Sequence, residues 1–461
     1  MKMAPDDEFI SARRFEPSPP LANDIVTEDS AALQFVELHG EDLRYCHSTG
    51  AWFRWNGQFW AQDQVGVAFH WSRELARQLA EDQDERKRYI TNKTSFASGV
   101  ERFCKSDPKV AVTIDYWDAD PWMIGTPGGT VDLKTGKLVS SSRHHGITKS
   151  LSTAPLDGGC PRWLKFLTET TGNDGELIRF LQQWCGYSLT GITREHALVF
   201  VYGPGGNGKS VFLNVVTSIL QDYAATAAMD TFTASKSDKH PADLAMLCGA
   251  RLVTASETEE GRAWAESRIK QMTGGDPITA RFMRKNFFTF KPQFKLMVVG
   301  NHKPVLHNVD DAARRRFNIV PFVLKPTVPD HQLEQKLMAE AGGILQWMIE
   351  GCLDWQANGL IRPASVVAAT DEYFSDQDLF SQWLAEACDI DPGNTWKQAS
   401  ASTLFKSWKS FALLAGEDPK SQKVFKPEML KRGITSKHTK TGNAFVGIRL
   451  NPVASFHEGE G

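Results

Sequence analysis

The sequence predicts an α/β protein: a phosphate-loop core, preceded by an α+β segment and followed by helices that close on a β-hairpin. Three observations carry this reading. Residues 203–210 read Gly-Pro-Gly-Gly-Asn-Gly-Lys-Ser, which fits G-x-x-x-x-G-K-[ST] at every fixed position. The run before it, residues 197–202, is apolar and β-rich, and apolar residues at helical spacing follow over 209–220. Two further short apolar runs, 251–257 and 294–301, each end in a polar residue.

The chain has 461 residues, enough for about three domains, and the apolar and charged fractions of an ordinary globular protein. No signal peptide, lipidation motif or apolar stretch of membrane-spanning length occurs, so no membrane partner and a cytoplasmic location in a bacterial host cell are expected. Seven scattered cysteines without a C-x-x-C pair argue against a disulfide framework and a zinc ribbon. Net charge is −3, so any nucleic-acid surface must be local.

In chain order, residues 1–23 are polar, with Pro17, Pro19 and Pro20, and read as a disordered lead or linker. Residues 24–187 form the expected N-terminal accessory domain with a helical lead into the core. Its tryptophans Trp52, Trp55, Trp60 and Trp71 surround Asn56-Gly57, a hairpin signal. They read as packing residues, with base stacking the alternative. A second hairpin is expected over 129–139, turning at Lys134 to Gly136. Asp118-Ala-Asp120 looks like the D-x-D of a polymerase-type metal site, but Pro121 follows directly, and the segment reads as a loop. Amphipathic helical spacing runs through Trp163, Phe166, Leu167 and Leu177, Phe180, Leu181, Trp184.

The core is expected over 188–360. Gly203, Pro204, Gly205, Gly206, Asn207 and Gly208 let the backbone curl so that successive N–H groups face phosphate oxygens, and a helix N-terminus adds partial positive charge. Lys209 then reaches the β and γ phosphates of ATP, and the Ser210 hydroxyl ligates Mg²⁺. Glu257, ending the run 251–257, is the expected metal-holding and water-polarising acid, with Glu259 or Glu260 in assistance. Ser256 stands where many such sites carry a first acid. Asn301 ends the run 294–301 and suits a residue that orients water, since its amide both donates and accepts. Among Arg314, Arg315 and Arg316 one arginine is expected to stabilise phosphate charge, most plausibly in a neighbouring subunit.

This order of motifs, with Ala-Ser-Glu-Thr-Glu-Glu-Gly, Thr273-Gly-Gly-Asp-Pro-Ile-Thr-Ala-Arg281, a run ending Gly-Asn-His-Lys-Pro304 and the arginines before Pro321-Phe322, resembles superfamily-3 helicases. Within them it resembles the phage and plasmid primase-helicase group related to the poxvirus primase-helicase. The resemblance implies an AAA+-like ATPase core acting as a hexameric ring, and a DNA-contacting hairpin between the second and third strands. Residues 278–291 fit that hairpin, with Arg281, Arg284 and Lys285 as DNA contacts. It also implies that 24–187 is an accessory domain. No polymerase-type primase domain is expected ahead of Asp24, so priming falls to a separate primase or polymerase, or to a longer parent chain.

Residues 361–461 predict helices, then a hairpin around Thr439 to Asn443, in the outline of a winged helix. Residues 401–461 hold ten Lys or Arg against five Asp or Glu, with Lys437 and Lys440 near the wing as expected DNA contacts. The sequence therefore predicts an ATP-driven helicase on single-stranded and forked DNA. The rival is a non-enzymatic replication initiator that uses ATP only for assembly.

Overall fold

A computed structural model describes residues 26–81, 83–234, 241–257, 263–281, 287–306, 311–326, 328–415, 418–439 and 442–451. The chain divides into two compact units, Met1–Val131 with Val139–Ser150, and Asp132–Leu138 with Leu151–Gly461.

The first unit opens on helix α1 (Glu28–His39). The Thr27 hydroxyl accepts from the Ser30 N–H at 3.1 Å, and the Ser30 hydroxyl accepts from the Thr27 N–H at 3.0 Å. Two donors that no helical turn can satisfy are thereby paired. Strands β1 (Leu43–Cys46), β2 (Ala51–Trp55) and β3 (Trp60–Gln62) follow, then helices α2 (Val67–Glu81), α3 (Glu85–Thr91) and α4 (Thr94–Cys104) and strand β4 (Ala111–Val112). The sheet order is β3-β2-β1-β4, antiparallel except for the parallel β1–β4 pair. Phe35, Val36, Leu75, Phe96 and Val100 fill the core beneath it with Leu43 and Trp52.

The Asn56-Gly57 hairpin forms with a four-residue loop. The Asn56 Oδ1 accepts from the N–H groups of Gln58 (2.9 Å) and Phe59 (2.8 Å), and Gly57 takes φ +97°. Its tryptophans are spent on packing: Trp60 is fully buried and donates to the Arg143 carbonyl, while buried Trp52 donates to Glu101. Strands β5 (Met123–Thr126), β6 (Gly129–Asp132) and β7 (Lys137–Val139) make a three-stranded sheet whose last turn closes through Gly136 N–H to the Asp132 carbonyl. Asp118 lies in a loop and not on a strand. It is buried in a left-handed loop (φ +48°), and its carboxylate accepts from the Thr148 N–H and hydroxyl, while Asp120 accepts from the Trp122 N–H.

The second unit is built around five parallel strands. Helices α5 (Pro161–Thr171) and α6 (Gly175–Leu189) lead into β8 (Leu198–Tyr202), α7 (Lys209–Leu220), β9 (Ala224–Thr226), α8 (Pro241–Ala245), β10 (Leu252–Glu257) and α9 (Glu266–Gly274). A hairpin of β11 (Ile278–Arg281) and β12 (Phe287–Phe290) follows, then β13 (Lys295–Gly300), α10 (Asp311–Arg316), β14 (Phe317–Pro321), α11 (Leu333–Met338) and α12 (Ala341–Asn358). The sheet order is β14-β8-β13-β10-β9; counted along the chain, the strands stand 5-1-4-3-2. Strands β8 and β13 are apolar along almost their whole length because helices cover both faces of a parallel sheet.

One buried cation stands out. Lys295, at the start of β13, lies in the interior, where its ammonium donates to the carbonyls of Thr190 and Ile192, just past the end of α6, and of Gln293, just ahead of β13, and sits 4.6 Å from the Tyr187 ring. Burial, with Arg251 nearby, holds its pKa well below that of an ordinary lysine.

Beyond α12, helix α13 (Ala364–Gln377) breaks at Asp378, whose carboxylate caps α14 (Leu379–Ala387) through the Ser381 N–H and hydroxyl and pairs with Arg432 at 2.7 Å. Strands β15 (Cys388–Ile390) and β16 (Gln398–Ser400), helices α15 (Ala401–Leu414) and α16 (Gln422–Lys431), and strands β17 (Ser436–Thr439), β18 (Gly442–Val446) and β19 (Ile448–Leu450) complete the chain. The helix-helix-hairpin outline is present, with one difference from the sequence reading. The last apolar run is two strands, because Gly447 (φ +76°) bends the chain so that β18 pairs with β16 and β17 while β19 pairs with β15. Phe380, Trp383, Leu404, Trp408, Phe425 and Phe445 form the core.

Candidate functional site

The carboxyl edge of the five-stranded sheet gathers most of the residues singled out in the sequence. Tyr202 ends β8 and pairs in register with Gly300 of β13, which pairs with Glu257 of β10. The three strand ends therefore stand abreast, and the glycine loop, Glu257 and Asn301 leave the sheet side by side.

Gly203 starts the loop in close contact with the chain leaving β14. A Cβ there would collide with the Phe322 carbonyl and the Asn207 amide. The Phe322 N–H donates to the Tyr202 carbonyl at 2.7 Å, and the Asn207 amide donates to the Phe322 carbonyl, so buried Asn207 clamps the loop to the end of β14. Gly206 and Gly208 both take φ +82°, conformations that cost other residues about 1 kcal/mol or more. Pro204, Gly205 and Gly206 form an exposed crest. No side chain caps the start of α7, so its first N–H groups are left to the loop side.

Lys209, the first residue of α7, is only 6% exposed. Its ammonium donates to the Gly203 carbonyl, the Asn207 Oδ1 at 2.9 Å and the Pro204 carbonyl at 3.3 Å. Burial lowers its pKa, and Lys325 pushes the same way. Ser210 is exposed beside it. Asn301 is exposed just past β13. The side chain of Glu257 and all of Glu259 and Glu260 lie outside the described residues. Among the described residues no group of three or more His, Cys, Asp or Glu side chains could hold a metal.

The arginines lie elsewhere. Phe317, at the start of β14, pairs with Leu198 at the start of parallel β8, so α10 ends at the amino edge of the sheet. Four residue steps, ~13 Å of strand, separate that level from Tyr202. Arg314 is tied to Asp371 at 3.0 Å and lies over the Phe374 ring. Arg316 donates to the Ala312 carbonyl at 2.8 Å. Arg315 is exposed and, among the described residues, donates only to the Asp311 carbonyl of its own helix, at 3.3 Å.

Of the expected nucleic-acid contacts, Arg281 is exposed at the end of β11 with its guanidinium 4.8 Å from the Phe287 ring centroid. Lys437 is exposed on β17. Arg284, Lys285 and Lys440 lie outside the described residues. Sequence reasoning missed Lys303, whose ammonium sits 4.6 Å from the Tyr202 ring and 5.9 Å from that of Tyr373, with no carboxylate within 4 Å among the described residues. Tyr373 donates to the neighbouring Pro304 carbonyl and accepts from Trp264. The only advance signal was the position of Lys303 two residues beyond Asn301. No helix among the described residues is long and apolar enough to cross a membrane.

Comparison with known proteins adds to this geometry. Residues 32–172 match the family described as D5 N terminal like, and residues 201–316 match a family of unknown function. The chain is 24% identical over 382 residues to "Putative helicase L207/L206" of Acanthamoeba polyphaga mimivirus, covering 73% of this chain and 39% of that protein. It is 26% identical over 286 residues to "Putative helicase 022R" of Frog virus 3, and 24% identical over 259 residues to "Putative primase C962R" of African swine fever virus. Those matches cover 57% and 52% of this chain, and 29% and 26% of the relatives, so the chain spans well under half the length of the relatives it matches. In fold it is similar to the apo C-terminal region of NrS-1, with a TM-score of 0.53 at 11% identity over 91% of this chain and 99% of that one. The resemblance read from the motifs holds at this level: the matched N-terminal family and the curated relatives support a primase-helicase group.

Proposed function

We propose that this chain is an ATP-driven DNA helicase of superfamily 3 that works as a hexameric ring on single-stranded and forked DNA during phage or mobile-element replication. One observation carries the reading: Tyr202, Gly300 and Glu257 end abreast, which puts the glycine loop, the acid and Asn301 on one edge. The 5-1-4-3-2 strand order, with the first strand feeding the loop and α7, supports an ATP-binding core of the phosphate-loop type.

ATP is the substrate. The exposed crest and the uncapped start of α7 receive its phosphates, and Lys209 exchanges the Gly203 and Pro204 carbonyls for phosphate oxygens. The Ser210 hydroxyl and the Glu257 carboxylate would hold Mg²⁺, which neutralises charge on the phosphates when bound. Glu257 polarises the attacking water and takes its proton; the Asn301 amide orients that water. Since Arg315 and Arg316 lie at the opposite edge, their contribution is made to a neighbouring subunit's site. Arg281 at the end of β11, with Arg284 and Lys285 next to it in the sequence, and Lys437 on β17, with Lys440 shortly after it in the sequence, grip the DNA backbone.

ATP turnover tests this reading. Lys209→Ala is expected to abolish it. Glu257→Gln keeps the shape and removes the charge, and is expected to bind ATP yet hydrolyse it slower by about 10² or more. Function surviving Glu257→Gln, with ATP still bound and assembly intact, would favour the initiator that uses ATP only for assembly.

A further inference from the structure

The C-terminal body carries a feature that the ATPase edge does not use. Trp396, in the turn between β15 and β16, is 91% exposed, while every other tryptophan of that body is buried. Its turn is pinned rather than loose. The Asn394 N–H donates to the Asp391 carbonyl (3.0 Å), the Trp396 N–H to the Asn394 Oδ1 (3.1 Å) and the Lys397 N–H to the Asn394 carbonyl (3.1 Å). From the other side the Gly447 N–H donates to the Lys397 carbonyl and the Asp391 N–H to the Gly447 carbonyl, both at 2.8 Å. Gly447 fits only because it lacks a Cβ, which would press on Pro392 and the Asp391 carbonyl. An indole held this far into water contributes nothing to the core and leaves its ring faces open to a partner.

The chain that follows the turn, residues 401–461, is net basic and suits a polyanion. Lys406, Lys409, Lys423, Lys426, Lys431 and Lys437 are exposed, and none has a carboxylate within 4 Å among the described residues. The acids beneath the turn are already neutralised, because Lys397 meets Asp389 (2.7 Å) and Asp391 (3.8 Å) and Arg449 meets Asp389 (2.9 Å). Phe445 pairs with Ala399 and Ser436 on the core side of the three-stranded sheet, so Gln398, Ser400 and Lys437 share the outward face that Trp396 leads into. Four residues of strand and two strand spacings separate Trp396 from Lys437, ~13 Å and ~10 Å along the two directions, a span of a few nucleotides.

We infer that Trp396 is a base-stacking platform for single-stranded DNA, with the exposed lysines of the C-terminal body contacting its phosphates. The inference rests on the DNA-acting role proposed above and specifies the form of DNA. In a duplex the base faces are covered by their neighbours, so a solitary exposed indole gains stacking area only on an unpaired strand.

The test measures binding of the full chain to a labelled oligo-dT and to the same oligonucleotide carrying abasic sites, across salt concentrations. Trp396→Ala is expected to weaken oligo-dT binding about ten-fold, as for loss of one base stack. Affinity for the abasic strand, the salt slope and DNA-free ATP turnover should stay at wild-type values, and Trp396→Phe should retain most of the binding. Unchanged oligo-dT affinity overturns the inference, as does equal weakening on both strands. A change in assembly mass upon Trp396→Ala also overturns it, since the indole would then be seated on a second copy. Failure of the wild-type chain to bind either strand would instead overturn the broader DNA reading, and this one with it.

Discussion

The two edges of the five-stranded sheet are finished in opposite ways. At the carboxyl edge the chain satisfies itself: Lys209 is held by loop carbonyls and Asn207, and Asn207 is held by the end of β14. At the amino edge Arg315 is exposed and, among the described residues, reaches nothing but a carbonyl of its own helix. A cation locked among its own loop needs a ligand only to exchange partners, whereas a cation displayed outward works only when another surface arrives. Under the proposed function the contrast is that of a catalytic centre divided between copies, a reading that experiment can break or sharpen.

The largest effect is expected from Arg315→Ala. If the arginine acts across an interface, ATP turnover should fall by about 10³ or more. Mixing this variant with Lys209→Ala chains should then restore part of the activity, because some interfaces pair an intact loop with an intact arginine. Absence of recovery in mixtures shown to assemble would place the arginine outside the divided centre.

A smaller effect addresses the self-satisfied edge. Gly203→Ala puts a methyl group against the Phe322 carbonyl and should destabilise the chain by about 1–3 kcal/mol in denaturant unfolding. Gly205→Ala, two residues along at a crest with nothing within 4 Å, should be close to neutral. Equal costs at both positions would show that the clamp to β14 contributes little.

The smallest concerns Lys295 at the start of β13. Its folded-state pKa is lowered, so the unfolded chain binds more protons between that lowered value and the ordinary lysine value of about 10.4. Stability from this group therefore rises with pH through that window and is lost as pH falls through it. Lys295→Met should flatten the slope by comparison with wild type. An unchanged slope would mean that the ammonium is as comfortable inside as in water.

Local pattern made much of the molecule legible in advance. Strand β8, the loop and α7 were readable because glycine spacing, β-rich composition and helical periodicity are properties of adjacent residues. The Asn56-Gly57 hairpin, the packing role of Trp52 and Trp60 and the structural role of Asp118 were readable for the same reason. Gly447 was harder, since an apolar run looks continuous until the partners of its two halves are known.

The sequence by itself determined which chemistry is available: a loop whose glycines permit left-handed backbone, a lysine and a serine that follow it, an acid and an amide at strand ends, and a run of arginines. Only the tertiary structure decided where these stand relative to one another. Parallel register placed Glu257 and Gly300 level with Tyr202, and the same register sent Arg315 to the far edge. Long-range contact turned Asn207 toward Phe322, set Lys303 over the Tyr202 and Tyr373 rings, and left Trp396 outside the core that took its neighbours. Such choices depend on residues tens to more than a hundred positions apart, and a side chain's partner is selected by packing and burial, which no local pattern encodes.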